Sequence, residues 1–110
     1  MKKEDRENAV LASFLYANDV GENTDNAFLL CEECFTSPFR KRIAKRINAE
    51  TSENRFYAVL SYDIEGSIAG TVYEDQWLNL LSQTPMPFSL AKRYHNDIKR
   101  IYDNNIIRGV

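Results

Sequence analysis

The stretch EDRENAVLASFLYAN, residues 4–18, decides the fold class. Within it Val10, Leu11, Phe14 and Leu15 lie at i, i+1, i+4 and i+5, so a helix would place all four on a single stripe. The same helical spacing of apolar residues recurs along nearly the whole chain, and no pair of strands is evident. The sequence therefore predicts an all-α protein, a single compact bundle of about six helices without a sheet.

The spacing and the breaker residues set the limits of the predicted helices. They are expected at about residues 4–18, 25–34, 38–49, 53–64, 74–82 and 88–106. We expect Ser37 to cap the third helix and Pro38 to be its first residue. Residues 66–70 and 82–87 are expected to be loops, and residues 71–73 could be extended but have no strand to pair with.

Each predicted helix has an apolar face that we expect to be buried. The expected inward residues of the later helices are Phe28, Leu29, Leu30, Cys31 and Phe35, then Phe39, Ile43 and Ile47, then Phe56, Val59, Leu60 and Ile64, then Trp77, Leu78, Leu80 and Leu81, and finally Tyr94, Ile98, Ile101, Tyr102 and Ile106.

The composition favours one globular domain over residues 1–110. Of the 110 residues, 44% are apolar and 27% are charged, which is close to the average for folded proteins. The net charge of -2 and the pI near 5.4 argue against a dedicated nucleic-acid-binding domain. No secretory signal or membrane-spanning run is evident, so we expect a cytoplasmic protein with reduced thiols.

The net charge is the sum of four blocks of alternating sign. Residues 1–39 carry -5, residues 40–46 carry +5, residues 47–91 carry -5 and residues 92–110 carry +3. Such blocks indicate a dipolar surface, which could steer a partner, join neighbouring helices or simply be solvated.

Residues with catalytic or ligand-binding chemistry are scarce. His95 is the only histidine, and we expect it at the surface beside the apolar stripe of the last helix. Cys31 and Cys34 are expected to be small buried apolar residues, with a redox role as the alternative. Two cysteines and one histidine cannot supply a complete zinc site. The segment GSIAGT, residues 66–71, lacks the lysine of a phosphate-binding loop. We therefore predict no catalytic residue, cofactor or metal.

The basic third helix could contact phosphates. Its cations are Arg40, Lys41, Arg42, Lys45 and Arg46. A recognition helix usually offers Asn, Gln, Ser or Thr to base edges beside its cations. This helix offers almost none, so sequence-specific DNA binding is the alternative and protein binding the leading interpretation.

Four short motifs occur in order along roughly residues 5–105. They are ENAVLASFL (7–15), ECFTSPFR (33–40), LLSQTP (80–85) and YHNDIK (94–99). Together they resemble the patterns E-x-x-V-L-x-x-x-L, D-F-Y-x-x-x-H-R, L-x-x-x-T-P and Y-x-x-I of the N-terminal domain of DnaB-type replicative helicases. The helicase-binding C-terminal domain of DnaG-type primases is similar in fold. The resemblance implies a six-helix head that holds the helicase ring together and meets the primase.

The chain also departs from that family pattern. The segment between Ile47 and Phe56 is shorter than usual, and Val72-Tyr73-Glu74 replaces a Gly-Gly pair. The 110 residues contain neither the helical hairpin nor the RecA-like motor, so the resemblance implies no helicase activity for them.

The function predicted from the sequence is non-catalytic protein–protein interaction in DNA replication. The expected partners are a replicative helicase, a primase, a loader or further copies of the chain, without a cofactor or a membrane. The alternative is a small helical DNA-binding regulator that uses the third helix. The predicted partner-binding residues are Arg40, Lys41, Lys45, Lys92, Arg93, Lys99 and Arg100.

Overall fold

The computed structural model describes residues 2–19, 29–52 and 60–108. In these ranges the chain forms five α-helices and one short 3-10 turn, without a strand. The helices are α1 (Lys3–Asp19), α2 (Pro38–Ser52), α3 (Leu60–Ile68), α4 (Glu74–Leu81) and α5 (Phe88–Arg108), and the 3-10 turn spans Glu32–Cys34. The predicted all-α class is confirmed, and the bundle measures 41 × 32 × 24 Å.

Helix α1 is the centre of the bundle. The predicted stripe is buried, but so is every other residue from Glu7 to Leu15, including Asn8 and Ser13. The small side chains of Ala9 and Ala12 let neighbouring elements approach the opposite face. As a result α1 packs against each of the other four α-helices.

Helix α2 begins where the sequence predicts. The Ser37 hydroxyl accepts a hydrogen bond from the Arg40 N–H at 3.1 Å, as an N-cap should. Pro38 is the first helical residue, where its missing N–H costs nothing. The predicted inner residues Phe39, Ile43 and Ile47 are buried, and the helix continues past its expected end to Ser52.

The predicted second helix, residues 25–34, is wrong where the chain is described. Residues 25–28 lie outside the described ranges, residues 29–31 are not helical, and only Glu32–Cys34 form a 3-10 turn. The reason lies on α2, where the Asn48 side chain pairs with the backbone of Leu30. Its Oδ1 accepts the Leu30 N–H at 2.8 Å, and its Nδ2 donates to the Leu30 carbonyl at 2.9 Å. These bonds take the place of helical ones.

Helix α3 extends beyond its predicted end at residue 64, and its predicted start lies outside the described residues. Residues 53–59 lie outside the described ranges, and the helix runs through Gly66, which was expected in a loop, to Ile68. Ile64 points inward as predicted. The following residues form a turn and are not extended: the Thr71 N–H donates to the Ile68 carbonyl at 2.9 Å, and Gly70 takes a positive φ of 79°.

The last two helices bury fewer residues than predicted. In α4 Trp77 and Leu80 are buried, whereas Leu78 and Leu81 are exposed. Helix α4 packs against α1 and α3. The predicted buried face of four residues was too wide, because only Trp77 and Leu80 are covered. In α5 Ile98 is buried, but the side chains of Ile101 and Ile106 are exposed, because the described bundle does not cover the end of this helix.

Candidate functional site

The first predicted binding residue on α2 does not face outward. The Arg40 side chain is 12% exposed and lies 4.0 Å from the buried Glu7 carboxylate. Its Nε donates to Asn8 Oδ1 at 2.9 Å, and its Nη1 donates to Thr36 Oγ1 at 3.1 Å. Arg40 therefore joins α2 to α1, and its expected place on the outer face is wrong.

The other two predicted residues of α2 differ from each other. Lys41 is exposed, but its ammonium donates to the carbonyl of Glu33 at 2.9 Å and also to the carbonyl of Phe35. Lys45 is exposed on the outer face, as are Arg42 and Arg46. The cationic surface of α2 thus consists of these last three residues.

The four predicted residues of α5 lie mostly on its outer side. Lys92 is half-buried, with its ammonium 5.1 Å from the centre of the Phe88 ring. Arg93 and Lys99 are exposed, and so is Arg100, which pairs with Asp97 at 2.8 Å. The basic residues of α2 and those of α5 lie on two different helices, each of which packs on α1.

The segment between Leu30 and Thr36, which we call the cysteine turn, contains a disulfide that the sequence analysis did not predict. Cys31 and Cys34 form a disulfide across a Cα–Cα distance of 5.4 Å, whereas reduced thiols were predicted. The separation is within the usual range for a disulfide. Cys34 is buried and Cys31 is partly exposed, so the two sulfurs differ in their access to solvent.

His95 belongs to the core and not to the surface, contrary to the prediction. It is 3% exposed, and its Nε2 accepts the Cys31 N–H at 2.8 Å. A nitrogen that accepts a hydrogen bond carries no proton, so the imidazole is neutral with its proton on Nδ1. Burial lowers the pKa of His95, Asn96 raises it through a hydrogen bond, and the charge of Lys99 lowers it further. His95 thereby joins α5 to the cysteine turn.

Side chains from three helices hold the backbone of the cysteine turn. In addition to His95, Asn48 binds Leu30, and Lys41 binds the carbonyls on both sides of Cys34. At the far end, Glu7 Oε1 accepts the Thr36 N–H at 2.8 Å. Sequence reasoning missed this arrangement, because the partners are far apart in the chain. The one signal was the C-x-x-C spacing itself.

A cavity of about 340 Å³ lies beside the cysteine turn. Cys34 lines it together with the cationic residues Lys3, Arg6 and Lys41, and Ile98 and Ile101 form an apolar part of its wall. No group of three or more His, Cys, Asp or Glu side chains suited to a metal occurs within residues 2–19, 29–52 and 60–108.

The outer side of α5 ends in exposed aliphatic residues. Ile106 is 49% exposed and Ile107 is 72% exposed. Arg93, Arg100 and Ile107 are spaced seven residues apart, as are Lys99 and Ile106, so each set lies along one row of the helix. We call this surface the α5 face. It combines cations over two turns with isoleucines at the end.

Comparisons with protein-family models, curated proteins and solved structures gave no match. None of the described helices is both long enough and apolar enough to cross a bilayer.

Proposed function

We propose that this chain is a non-catalytic protein–protein interaction domain of the DNA replication machinery. It would act in helicase self-assembly or in the contact of a helicase with a primase or loader. The interaction role is carried by one observation, the exposed isoleucines of the α5 face. The assignment to replication rests on the order of the sequence motifs. The proposal requires no cofactor and includes a cytoplasmic location.

The α5 face has the two properties that a helix-docking surface needs. Burial of Ile106 and Ile107 against a partner would remove apolar surface from water, which is the main favourable term in association. The cations Arg93, Lys99 and Arg100 would raise the association rate with an acidic partner and make it depend on salt. We therefore expect the partner to present an apolar groove with an acidic rim.

A binding experiment with matched variants tests this role. The full chain is mixed with the replicative helicase and with the primase of the same organism, and complexes are measured by light scattering and sedimentation. Because Ile107 lies on the α5 face, Ile107→Asp should weaken binding at least about tenfold, the equivalent of about 1.4 kcal/mol. Val72→Asp is the control, since Val72 is 88% exposed in the turn between α3 and α4.

Two results would contradict the proposal. One is a wild-type chain that stays monomeric and ignores both proteins. The other is an equal loss of binding in the two variants, which would place the contact elsewhere.

The DNA-binding alternative uses the exposed cations Arg42, Lys45 and Arg46. Arg40 and Lys41 of the basic run bind groups within the protein, which weighs against their use for phosphates. A salt titration with duplex DNA separates the two functions. Affinity that falls steeply with salt would favour DNA, and an absence of binding at about 50 mM salt would exclude it.

A further inference from the structure

We propose that the Cys31–Cys34 pair is a reversible redox centre that exchanges its disulfide with thiols of a dithiol partner. This is an activity separate from protein docking, and it can fail or succeed independently of the proposed function. It rests on the covalent pair, on the unequal burial of its sulfurs, on the independent support of the cysteine turn and on the nearby cations.

The disulfide is poorly placed to serve as a structural staple. A disulfide stabilises a protein mainly by restricting the unfolded chain, and the effect grows with the length of the closed loop. The sequence separation here is only 3. The turn is moreover fixed by Asn48 and Glu7 at its two ends and by His95 and Lys41 between them. Reduction would therefore leave the backbone of the turn in place.

The unequal burial gives the two sulfurs different parts in the exchange. Cys31 is partly exposed, so an incoming thiolate would attack its Sγ. Cys34 is buried, so it would be the leaving group in reduction and the internal nucleophile in oxidation. The rate of exchange depends on which sulfur the incoming thiolate can reach, so the difference in burial directs the attack to Cys31.

The charges around the turn support the same assignment. Cys34 shares its cavity with three cationic residues, Lys3, Arg6 and Lys41, and with one acidic residue, Glu33, so positive charge predominates there. Cations favour a thiolate over a thiol. The Cys31 Sγ lies 3.6 Å from Glu33 Oε2, to which a reduced Cys31 could donate its S–H proton. The negative charge that forms on the Cys34 sulfur when the disulfide breaks is thus stabilised.

The reaction balances with a dithiol as the co-reactant. One thiolate of the dithiol attacks Cys31 Sγ, the Cys31–Cys34 bond breaks, and Cys34 leaves with the electron pair and takes up a proton. The second thiol of the dithiol then loses its proton and attacks the partner's sulfur in the mixed disulfide, which releases Cys31 as a thiol. The dithiol is oxidised to a disulfide, and the protein gains two electrons and two protons.

A redox titration of the full chain tests the reversibility. The protein is equilibrated in mixtures of reduced and oxidised dithiothreitol, quenched with acid, and its thiols are counted by alkylation with a maleimide. We expect both cysteines to change together through one midpoint, with the same helical circular dichroism at both ends. A pair that is reduced only after the chain unfolds would overturn the proposal, as would a pair that never forms a disulfide in oxidised dithiothreitol.

Two single variants test the assigned parts of the sulfurs. Cys34→Ser leaves only Cys31 and should form a mixed disulfide rapidly with oxidised glutathione. Cys31→Ser leaves only the buried Cys34 and should react at least about tenfold more slowly, since glutathione disulfide cannot reach the Cys34 sulfur in the folded chain. Equal rates, or a faster Cys31→Ser variant, would overturn the assignment. If either variant fails to fold, the titration of the wild-type chain still decides the proposal.

Discussion

Helices α1 and α5 pack against each other but differ in where their polar side chains lie. On α1 the polar residues Glu7, Asn8 and Ser13 are buried in the middle of the bundle. On α5 the charged side chains between residues 88 and 107 are exposed or half-buried, and the one buried polar residue in that range is His95. Similar mixtures of apolar and polar residues thus give a core helix in one place and a surface helix in the other.

The difference comes from the partners that the buried polar groups find. Glu7 accepts the Thr36 N–H, and Asn8 accepts a bond from Arg40. Ser13 donates to the Ala9 carbonyl at 2.7 Å and accepts the Met86 N–H at 2.9 Å. A buried polar group is tolerated when it is hydrogen-bonded, and here the bonds to Thr36, Arg40 and Met86 also hold a neighbouring segment. The polar side of α1 therefore positions other segments, and the polar side of α5 meets solvent.

The largest difference between α1 and α5 is expected when an apolar residue on each helix is replaced. Leu11 has no exposed surface, so Leu11→Ala leaves a cavity and should lower the free energy of unfolding by about 3–5 kcal/mol. Ile107→Ala, on the exposed end of α5, should change it by less than about 0.5 kcal/mol. Urea denaturation of both variants gives the two values. Equal losses would mean that the end of α5 is buried in solution.

A smaller effect is expected when one carboxylate on each helix becomes an amide. In Glu7→Gln the amide oxygen can keep the Oε1 position and its bond from the Thr36 N–H, but the NH2 group then takes the buried Oε2 position, where no acceptor is found among the described residues. The attraction between the Glu7 and Arg40 charges would also be lost. We expect a loss of about 1–3 kcal/mol, typical of an unsatisfied buried donor. The control, Asp97→Asn, breaks an exposed pair with Arg100 and should cost about 0–0.5 kcal/mol.

Thermal and urea unfolding of these two variants provide the check. A Glu7→Gln protein as stable as the wild type would show that the buried carboxylate contributes no more than an exposed one. The comparison between α1 and α5 would then fail for charged residues.

Local signals in the sequence predicted much of the helical framework. The Ser37-Pro38 start and the Phe39, Ile43, Ile47 stripe of α2 are properties of neighbouring residues, and both are confirmed. The same holds for the buried stripe of α1. What failed was the second helix, because the Asn48 side chain that replaces its hydrogen bonds lies 18 residues from Leu30.

The candidate site was harder to predict, because its contacts join distant parts of the chain. The Cys31 N–H bonds to His95 across 64 residues, and no local pattern distinguishes this histidine from an exposed one. Similarly, Arg40 looks like its cationic neighbours until Glu7 is placed beside it. A separate signal, for the packing of α1 and not for the site, was overlooked: Ala9 and Ala12, on the far side of α1, are small enough to allow close packing there.

The smallest expected effect concerns His95, a buried polar residue of α5, and the dependence of its protonation on pH. Its Nε2 accepts the Cys31 N–H, and burial holds its pKa below the ordinary value of 6.5. As the pH falls below about 6.5, the unfolded chain takes up a proton on this residue before the folded chain does, so protonation favours unfolding. The stability from the neutral imidazole is complete above that pH. It declines as the pH falls toward the lowered pKa of the folded state.

The matched variant for this test is His95→Gln, whose side-chain oxygen can still accept the Cys31 N–H but does not titrate. Urea unfolding is measured for both proteins between about pH 8 and pH 5. Below about pH 6.5 the wild type should lose stability relative to the variant, by no more than about 1.4 kcal/mol per pH unit for one proton. Parallel curves would show that the buried imidazole is not linked to folding. The buried polar residue of α5 would then contribute less to stability than the buried polar residues of α1 are expected to.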